Sequence, residues 1–178
     1  MTGKSLWEYI KSDLSKIVGG VPSYVDFLKW YFIPRGHLFP YMVWFRIVWW
    51  NKKKNKIINK ILLLPSYMIF RHFEFKYGVH VNTNIPVGYG LFICHGDGVY
   101  LNVSEIGNDV KVYQGVTLGT DSNHGIPKVL NDVTIYPNAV VVGNITLHNG
   151  SVIAANSFVN KDVYDNQVVG GAPAHILK

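Results

Sequence analysis

The chain has 178 residues, a formal net charge of +6 and one cysteine, Cys94. This length suits one hydrophobic core with a small appendage. A single cysteine excludes an intramolecular disulfide framework, and no Cys/His cluster has zinc-site spacing, which favours a reducing, cytoplasmic setting. The basic balance is compatible with three anionic partners, namely nucleic acid, a membrane surface or an anionic cofactor.

Residues 1–76 are predicted to form a helical segment. Its helices are expected to be broken at residues that interrupt or open helices, namely Gly19, Gly20, Pro22, Pro34, Pro40 and Pro65. Residues 1–16 are mixed polar and do not resemble a secretory signal. No apolar run approaches the roughly 20 residues that a bilayer crossing needs.

Residues 27–76 combine many aromatic side chains with most of the positive charge. The basic residues are Lys29, Arg35, Arg46, Lys52, Lys53, Lys54, Lys56, Lys60, Arg71 and Lys76. Two interpretations are open. In the first, which we favour, the aromatic residues pack helix on helix and against the next domain, with the lysines in solvent. In the second, this segment lies in the plane of a membrane surface, with its lysines over anionic lipid.

From Ile106 onward the chain repeats with a period of six, and residues 77–165 are predicted to form one repetitive domain. The repeating aliphatic residues are Ile106, Val112 and Leu118, then Val129, Ile135, Val141, Leu147, Ile153 and Val159. A helix would repeat every three to four residues and a half-buried strand every two. The pattern predicts a parallel β-helix of about four coils, each with three short sides that point one aliphatic residue inward. The helical segment is expected to cap one end, and the tail 166–178 the other.

Two interruptions of the repeat carry histidines. Residues 119–128 abandon the aliphatic spacing, which predicts an exposed loop carrying His124. The step from Leu91 to Tyr100 is nine residues instead of six, and it contains His95 before a glycine. Packing alone would favour aliphatic residues at these places. A functional role is therefore favoured for His95, whereas for His124 a solvated loop histidine is an equal alternative.

Six short motifs occur in an order that is typical of one family: VHV at 79–81, HGDG at 95–98, QGVTLG at 114–119, PK at 127–128, VGNI at 142–145 and GGAPA at 170–174. Together they resemble the hexapeptide-repeat acyltransferases. The most similar members are the serine O-acetyltransferases and their shorter relatives that acetylate sugars in capsule and lipopolysaccharide clusters. The resemblance covers residues 77–178. It implies a mainly β fold, a left-handed parallel β-helix with an N-terminal α-helical segment.

The resemblance also implies transfer of an acetyl group from acetyl-CoA to a hydroxyl. His95 matches the catalytic histidine of the family and would act as general base, a role suited to neutral imidazole near neutral pH. His124 resembles the second active-site histidine, and either it or a backbone N–H would meet the developing oxyanion. Asp97 would orient His95 or only shape a Gly-Asp-Gly turn. No metal is expected, since no third ligand of matching character lies nearby in sequence.

The family binds the pantetheine arm of coenzyme A along the outside of the coils, between two subunits of a homotrimer. The matching positions are small residues, namely Gly119, Thr120, Ala139, Ala155 and Ala172. Tight coil corners also explain small residues without any ligand. Cations of the tail are candidates for the nucleotide phosphates, namely Lys161, His175 and Lys178.

The acceptor is predicted from departures from the serine-specific pattern. Cys94 and Gly78 replace two aspartates of the serine enzymes, and the run at 124–128 is altered. We therefore expect a sugar O-acetyltransferase of surface-polysaccharide biosynthesis, in the cytoplasm or at the inner face of the membrane. A serine O-acetyltransferase of cysteine biosynthesis is the alternative, followed by a non-catalytic β-helix binding module. Nucleic-acid binding ranks last, because no recognition motif accompanies the basic residues.

Overall fold

The computed structural model describes residues 4–33, 38–54 and 57–178. The helix break predicted at Pro34 and the cations Arg35 and Lys56 lie outside these residues. The described chain is a parallel β-solenoid preceded by the helices α1 (Leu6–Val18), α2 (Tyr24–Phe32), α3 (Phe39–Lys53) and α4 (Ile57–Tyr77). No described helix combines the length and the hydropathy that a bilayer crossing requires.

Local sequence signals explain both ends of α1. Ser5 accepts a hydrogen bond from the Glu8 backbone N–H while the Glu8 side chain accepts from Ser5, which forms a capping box at the start of α1. Gly19 ends α1 in the left-handed conformation, with φ 75°. The prediction that Pro65 interrupts a helix is wrong, since α4 runs through it. Pro65 lies on the exposed side of α4, where water can bind the carbonyl that loses its amide partner.

The solenoid has three parallel sides. Side 1 contains β1 (Val79–Val81), β3 (Val99–Leu101), β6 (Thr117–Gly119), β9 (Val140–Val142) and β12 (Phe158–Val159). Side 2 contains β2 (Phe92–Ile93), β5 (Lys111–Val112), β8 (Thr134–Ile135), β11 (Val152–Ile153) and β13 (Val168–Gly170), followed by the antiparallel β14 (His175–Ile176). Side 3 contains β4 (Glu105–Ile106), β7 (Lys128–Val129) and β10 (Thr146–Leu147).

The six-residue repeat forms the core. All nine aliphatic residues of the repeat are buried inside the prism. Corner residues such as Asp109, Asn138 and Asn156 adopt positive φ, which the short polar side chains of Asp and Asn tolerate best among non-glycine residues. Side 1 has five parallel strands among the described residues, so the solenoid has one coil more than the four expected.

The element bounds differ slightly from those expected. Gly119 belongs to β6 and Lys128 to β7, so the excursion comprises residues 120–127. The last parallel strand, β13, pairs with β11 and extends the solenoid beyond residue 165.

The helices cap the solenoid at its first coil. Buried aromatic side chains of α3, including Phe45 and Trp49, join the core, as the first interpretation of this segment expects. The Trp49 indole N–H donates to the Ile85 carbonyl at 2.9 Å. Fully buried Arg46 forms a bidentate pair with Asp13 of α1, with N···O distances of 2.7 and 2.9 Å. Burial raises the pKa of Asp13, and the Arg46 guanidinium opposes that rise.

Candidate active site

His95 lies on an enlarged corner between side 2 and side 1. Strand pairing aligns Ile93 with Val112, and Tyr100 with Thr117, so residues 94–99 stand above 113–116. The next coil crosses the same corner with residues 136–139. The first corner is therefore two residues longer than the corners stacked below it. This insertion projects the His95 side chain into solvent, where it is exposed.

Backbone contacts fix this corner. The Asp97 N–H donates to the Tyr77 carbonyl at 2.8 Å, and the Gly98 N–H donates to the Gly78 carbonyl at 3.0 Å. A Cβ at Gly96 would lie 2.2 Å from the Tyr77 carbonyl oxygen, so only glycine fits there. Asp97 has φ 66°, and its carboxylate makes no hydrogen bond or ion pair with any described residue. That exposed carboxylate is available to a ligand.

Cys94 lies beside His95 and is half-buried. Burial raises the pKa of the Cys94 thiol, so at neutral pH the group carries no charge. It cannot replace a carboxylate as the partner of an ammonium group. Directly below it, the rings of Tyr113 and Tyr136 stack with their centroids 5.2 Å apart.

Sequence reasoning missed the residue that organises the loop 120–127. The Asp121 carboxylate accepts hydrogen bonds from the Asn123 and Gly125 backbone N–H groups at 3.0 and 2.9 Å. An aspartate two residues before an asparagine is a signal for such a turn. His124 is exposed, has φ 59°, and its N–H donates to the Asp121 carbonyl at 3.1 Å.

One chain does not bring the two histidines to the same corner. His95 lies between side 2 and side 1, whereas His124 lies between side 1 and side 3. Side 1 separates the two corners within one prism.

The candidate coenzyme A residues occupy several places on the solenoid. Gly119 and Thr120 lie where the loop leaves side 1, and a Cβ at Gly119 would meet no atom within 4 Å. Ala155 and Ala172 are exposed, but the Ala139 side chain is fully buried in the core, so a ligand could reach only its backbone. Lys161 and His175 line one cavity of about 220 Å³ at the end of the prism. Lys178 is exposed, and its backbone pairs with Val168.

Two further polar groups near side 1 were not predicted. The Glu74 carboxylate of α4 is 5% exposed, forms an ion pair with Arg71, and lies 3.2 Å from the His80 Nδ1. The Gln114 Oε1 is buried one coil below His95 and has no hydrogen-bond partner among the described residues. A bound water or ligand at this corner would satisfy it. The described residues contain no cluster of three His, Cys, Asp or Glu side chains that could hold a metal ion.

Comparison with known proteins identifies the family. The family model described as "Bacterial transferase hexapeptide (six repeats)" matches residues 127–161. The serine acetyltransferase of Bacillus pumilus (strain SAFR-032) is 35% identical over 134 residues, which are 73% of this chain and 62% of the relative. The chain belongs to the hexapeptide-repeat transferases. The serine acetyltransferase of Staphylococcus aureus (strain Mu50 / ATCC 700699) is also 35% identical, over 74% of this chain and 63% of its own length.

Solved structures agree with this hexapeptide-repeat assignment. A Neisseria gonorrhoeae serine acetyltransferase in complex with serine has a TM-score of 0.76 at 27% identity, covering 97% of this chain and 69% of that one. A Brucella abortus serine acetyltransferase in complex with coenzyme A has a TM-score of 0.74 at 26% identity, covering 95% and 66%. The predicted fold, a left-handed parallel β-helix with an N-terminal helical segment, is confirmed. The chain spans just under two thirds of the length of the curated relatives named above.

The prediction of a sugar acceptor in polysaccharide biosynthesis is wrong. The relatives and solved neighbours named above are serine acetyltransferases. Cys94 and Gly78 are two local departures, and they are outweighed by the similarity of the whole domain. The serine alternative is the better supported one.

Proposed function

We propose that this protein is an acetyl-CoA-dependent O-acetyltransferase whose acceptor is L-serine. The observation that carries the proposal is the enlarged corner with exposed His95, in a chain whose relatives are serine acetyltransferases. Neighbours of the same fold carry serine in one case and coenzyme A in another, which supports both substrates.

His95 is the proposed general base. Its imidazole accepts the proton of the serine hydroxyl while the hydroxyl oxygen attacks the thioester carbonyl. The tetrahedral intermediate collapses with cleavage of the C–S bond, and the leaving thiolate takes the proton from the imidazolium. The products are O-acetylserine and coenzyme A. A backbone N–H or His124 stabilises the oxyanion.

The serine ammonium group needs a carboxylate partner. Neutral Cys94 and Gly78 cannot supply one, and the exposed Asp97 of the same corner carries a carboxylate without a partner among the described residues. We propose that the Asp97 carboxylate binds the ammonium group of serine. A charged hydrogen bond of this kind contributes about 1.5–3 kcal/mol.

We further propose a cytoplasmic homotrimer with active sites between subunits. The separation of His95 and His124 on different corners of one chain supports this arrangement, because a neighbouring loop 120–127 would complete the site. The pantetheine arm would pass Gly119, Thr120, Ala155 and Ala172, with the Ala139 backbone beneath it. Lys161, His175 and Lys178 are the cations available to the nucleotide phosphates.

Acetyl transfer is tested with purified protein, acetyl-CoA and L-serine, following free thiol and identifying O-acetylserine by mass spectrometry. His95→Ala should lower kcat by about 10²–10⁴-fold, the range for a general base. His148→Ala is the matched control, because His148 lies at a corner after β10 and stacks on Tyr164. If kcat were the same for His95→Ala and the wild type, His95 would not be the general base.

The shared site has its own test. Co-expressed His95→Ala and His124→Ala chains should form mixed trimers in which about a quarter of the interfaces carry both native histidines. Activity above that of either variant alone supports a site between subunits. Activity no higher than the better variant contradicts it.

A further inference from the structure

One face of α4 is apolar and uncovered. The helix buries Ser66, Phe70 and Glu74 toward the rest of the protein. On the opposite side, large side chains recur at helical spacing and remain exposed: Ile57 at 78%, Ile61 at 64%, Leu64 at 68%, Met68 at 66% and Phe75 at 68%. These five residues are called the outer face of α4. No described residue covers this face.

An uncovered face of this kind indicates a partner. A helix that is apolar on both sides is normally covered on both sides. Five large side chains in one row expose on the order of several hundred Å² of apolar surface, an extent that marks an interaction site in a monomer.

The charges around the outer face indicate what the partner is. Lys60 and Lys76 of α4 are exposed, as is Lys54, three residues before the helix begins. The only acidic side chain of α4, Glu74, is buried and already pairs with Arg71 and His80. Two copies packed through this face by a two-fold axis would bring like charges together. A membrane with anionic headgroups complements both parts, because its acyl chains accept the apolar row and its headgroups attract the lysines.

Aromatic rings accompany these cations. The Lys54 Nζ lies 4.4 Å from the centre of the Trp50 ring, and the Lys76 Nζ lies 5.5 Å from that of Tyr77. Amphipathic helices that lie in the headgroup layer of membranes combine the same features, with apolar side chains toward the acyl chains and lysines over anionic headgroups.

We propose that α4 binds the surface of an anionic membrane, lying in its plane with the outer face toward the acyl chains. Its 21 residues give a contact about 31 Å long. The binding localises the protein at the membrane and does not depend on the proposed acetyl transfer.

The test is flotation of the full chain with two kinds of vesicle, phosphatidylcholine alone and phosphatidylcholine mixed with phosphatidylglycerol. Wild-type protein should float with the anionic vesicles and much less with the zwitterionic ones. The double variant Leu64→Glu/Met68→Glu should lower the partition coefficient by about tenfold or more, because it replaces two inserting apolar side chains. Tyr164→Glu is the matched control, since Tyr164 is 59% exposed in the last coil.

Charge and fold are checked separately. Lys60→Glu/Lys76→Glu should weaken binding only to anionic vesicles. Salt raised from about 0.1 M to about 1 M should do the same, because it shortens the Debye length to about 3 Å. Circular dichroism of each variant establishes that it is folded. Failure of the wild-type chain to float, or equal flotation of the Leu64/Met68 variant, overturns the proposal. If that variant instead lowers the mass measured by light scattering while vesicles do not bind, the face joins copies of the chain.

Discussion

The buried pair of Arg46 and Asp13 gives the sharpest prediction about stability. Arg46 also donates to the Gly88 carbonyl at 2.6 Å, and Asp13 accepts from the Leu91 N–H at 3.0 Å. The pair therefore ties α1 and α3 to the first coil of the solenoid. Replacing Arg46 by Met removes the guanidinium and leaves the Asp13 carboxyl buried without its counterion.

The expected loss is about 3–5 kcal/mol of the free energy of unfolding, the range for breaking one side of a buried ion pair. The loss should depend on pH. Without Arg46, the pKa of Asp13 rises further above its unfolded value, since burial is no longer opposed. A carboxyl whose folded pKa is raised destabilises the protein as pH rises through that pKa, and has no such effect below the unfolded pKa. The deficit should therefore be larger at about pH 8 than at about pH 5.

Urea denaturation of the wild type and the variants at both pH values measures the free energy of unfolding. Lys16→Met is the matched control, because Lys16 joins α1 to Asp109 in a partly exposed ion pair, with side chains 30% and 24% exposed. It should cost less than about 1 kcal/mol. The double variant Asp13→Leu/Arg46→Met should recover much of the loss. A loss of stability that is the same for Arg46→Met and Lys16→Met, or independent of pH, would show that Arg46 is not the counterion of a buried Asp13 carboxylate.

Three further predictions concern the active site. Gly96→Ala should lower both kcat and the melting temperature, because its Cβ would lie 2.2 Å from the Tyr77 carbonyl oxygen and would displace the corner that carries His95; normal kcat with an unchanged melting temperature would contradict the rigid corner. Asp97→Asn should raise the KM for serine by about tenfold or more with a smaller effect on kcat, since asparagine tolerates the positive φ but lacks the charge; an unchanged KM would remove the ammonium assignment. Gly119→Ala should raise only the KM for acetyl-CoA, because the new Cβ meets no protein atom within 4 Å but would stand in the proposed path of the pantetheine arm; an unchanged KM would show that the arm does not pass Gly119.

The solenoid is predictable from the sequence because its core is encoded locally. One residue in six points into the core of the solenoid, so the spacing alone predicts that Ile135 and Leu147 are buried. The end of α1 is equally local, since Gly19 supplies the left-handed conformation that stops the helix. Pro65 was wrongly predicted to break a helix, because its tolerance depends on which side of α4 faces water, and that is set by tertiary packing.

The candidate site is only partly encoded in this way. The corner with His95 could be found because its insertion breaks the period. Asp121 organises the loop through contacts that only a turn analysis suggests, and the Glu74–His80 contact joins a helix to a strand. The acceptor was wrongly predicted because Cys94 was given too much weight. Cys94 and Gly78 change two positions, whereas the similarity to serine acetyltransferases extends over 134 residues.

The most direct test of the central claim is incubation of the purified chain with L-serine and acetyl-CoA labelled with ¹³C in the acetyl group, read by NMR. We expect one labelled acetyl ester on the serine oxygen, formed with an equal amount of free coenzyme A and nearly absent with His95→Ala. The absence of labelled serine at saturating substrate, in protein that is folded and binds coenzyme A, would contradict the account.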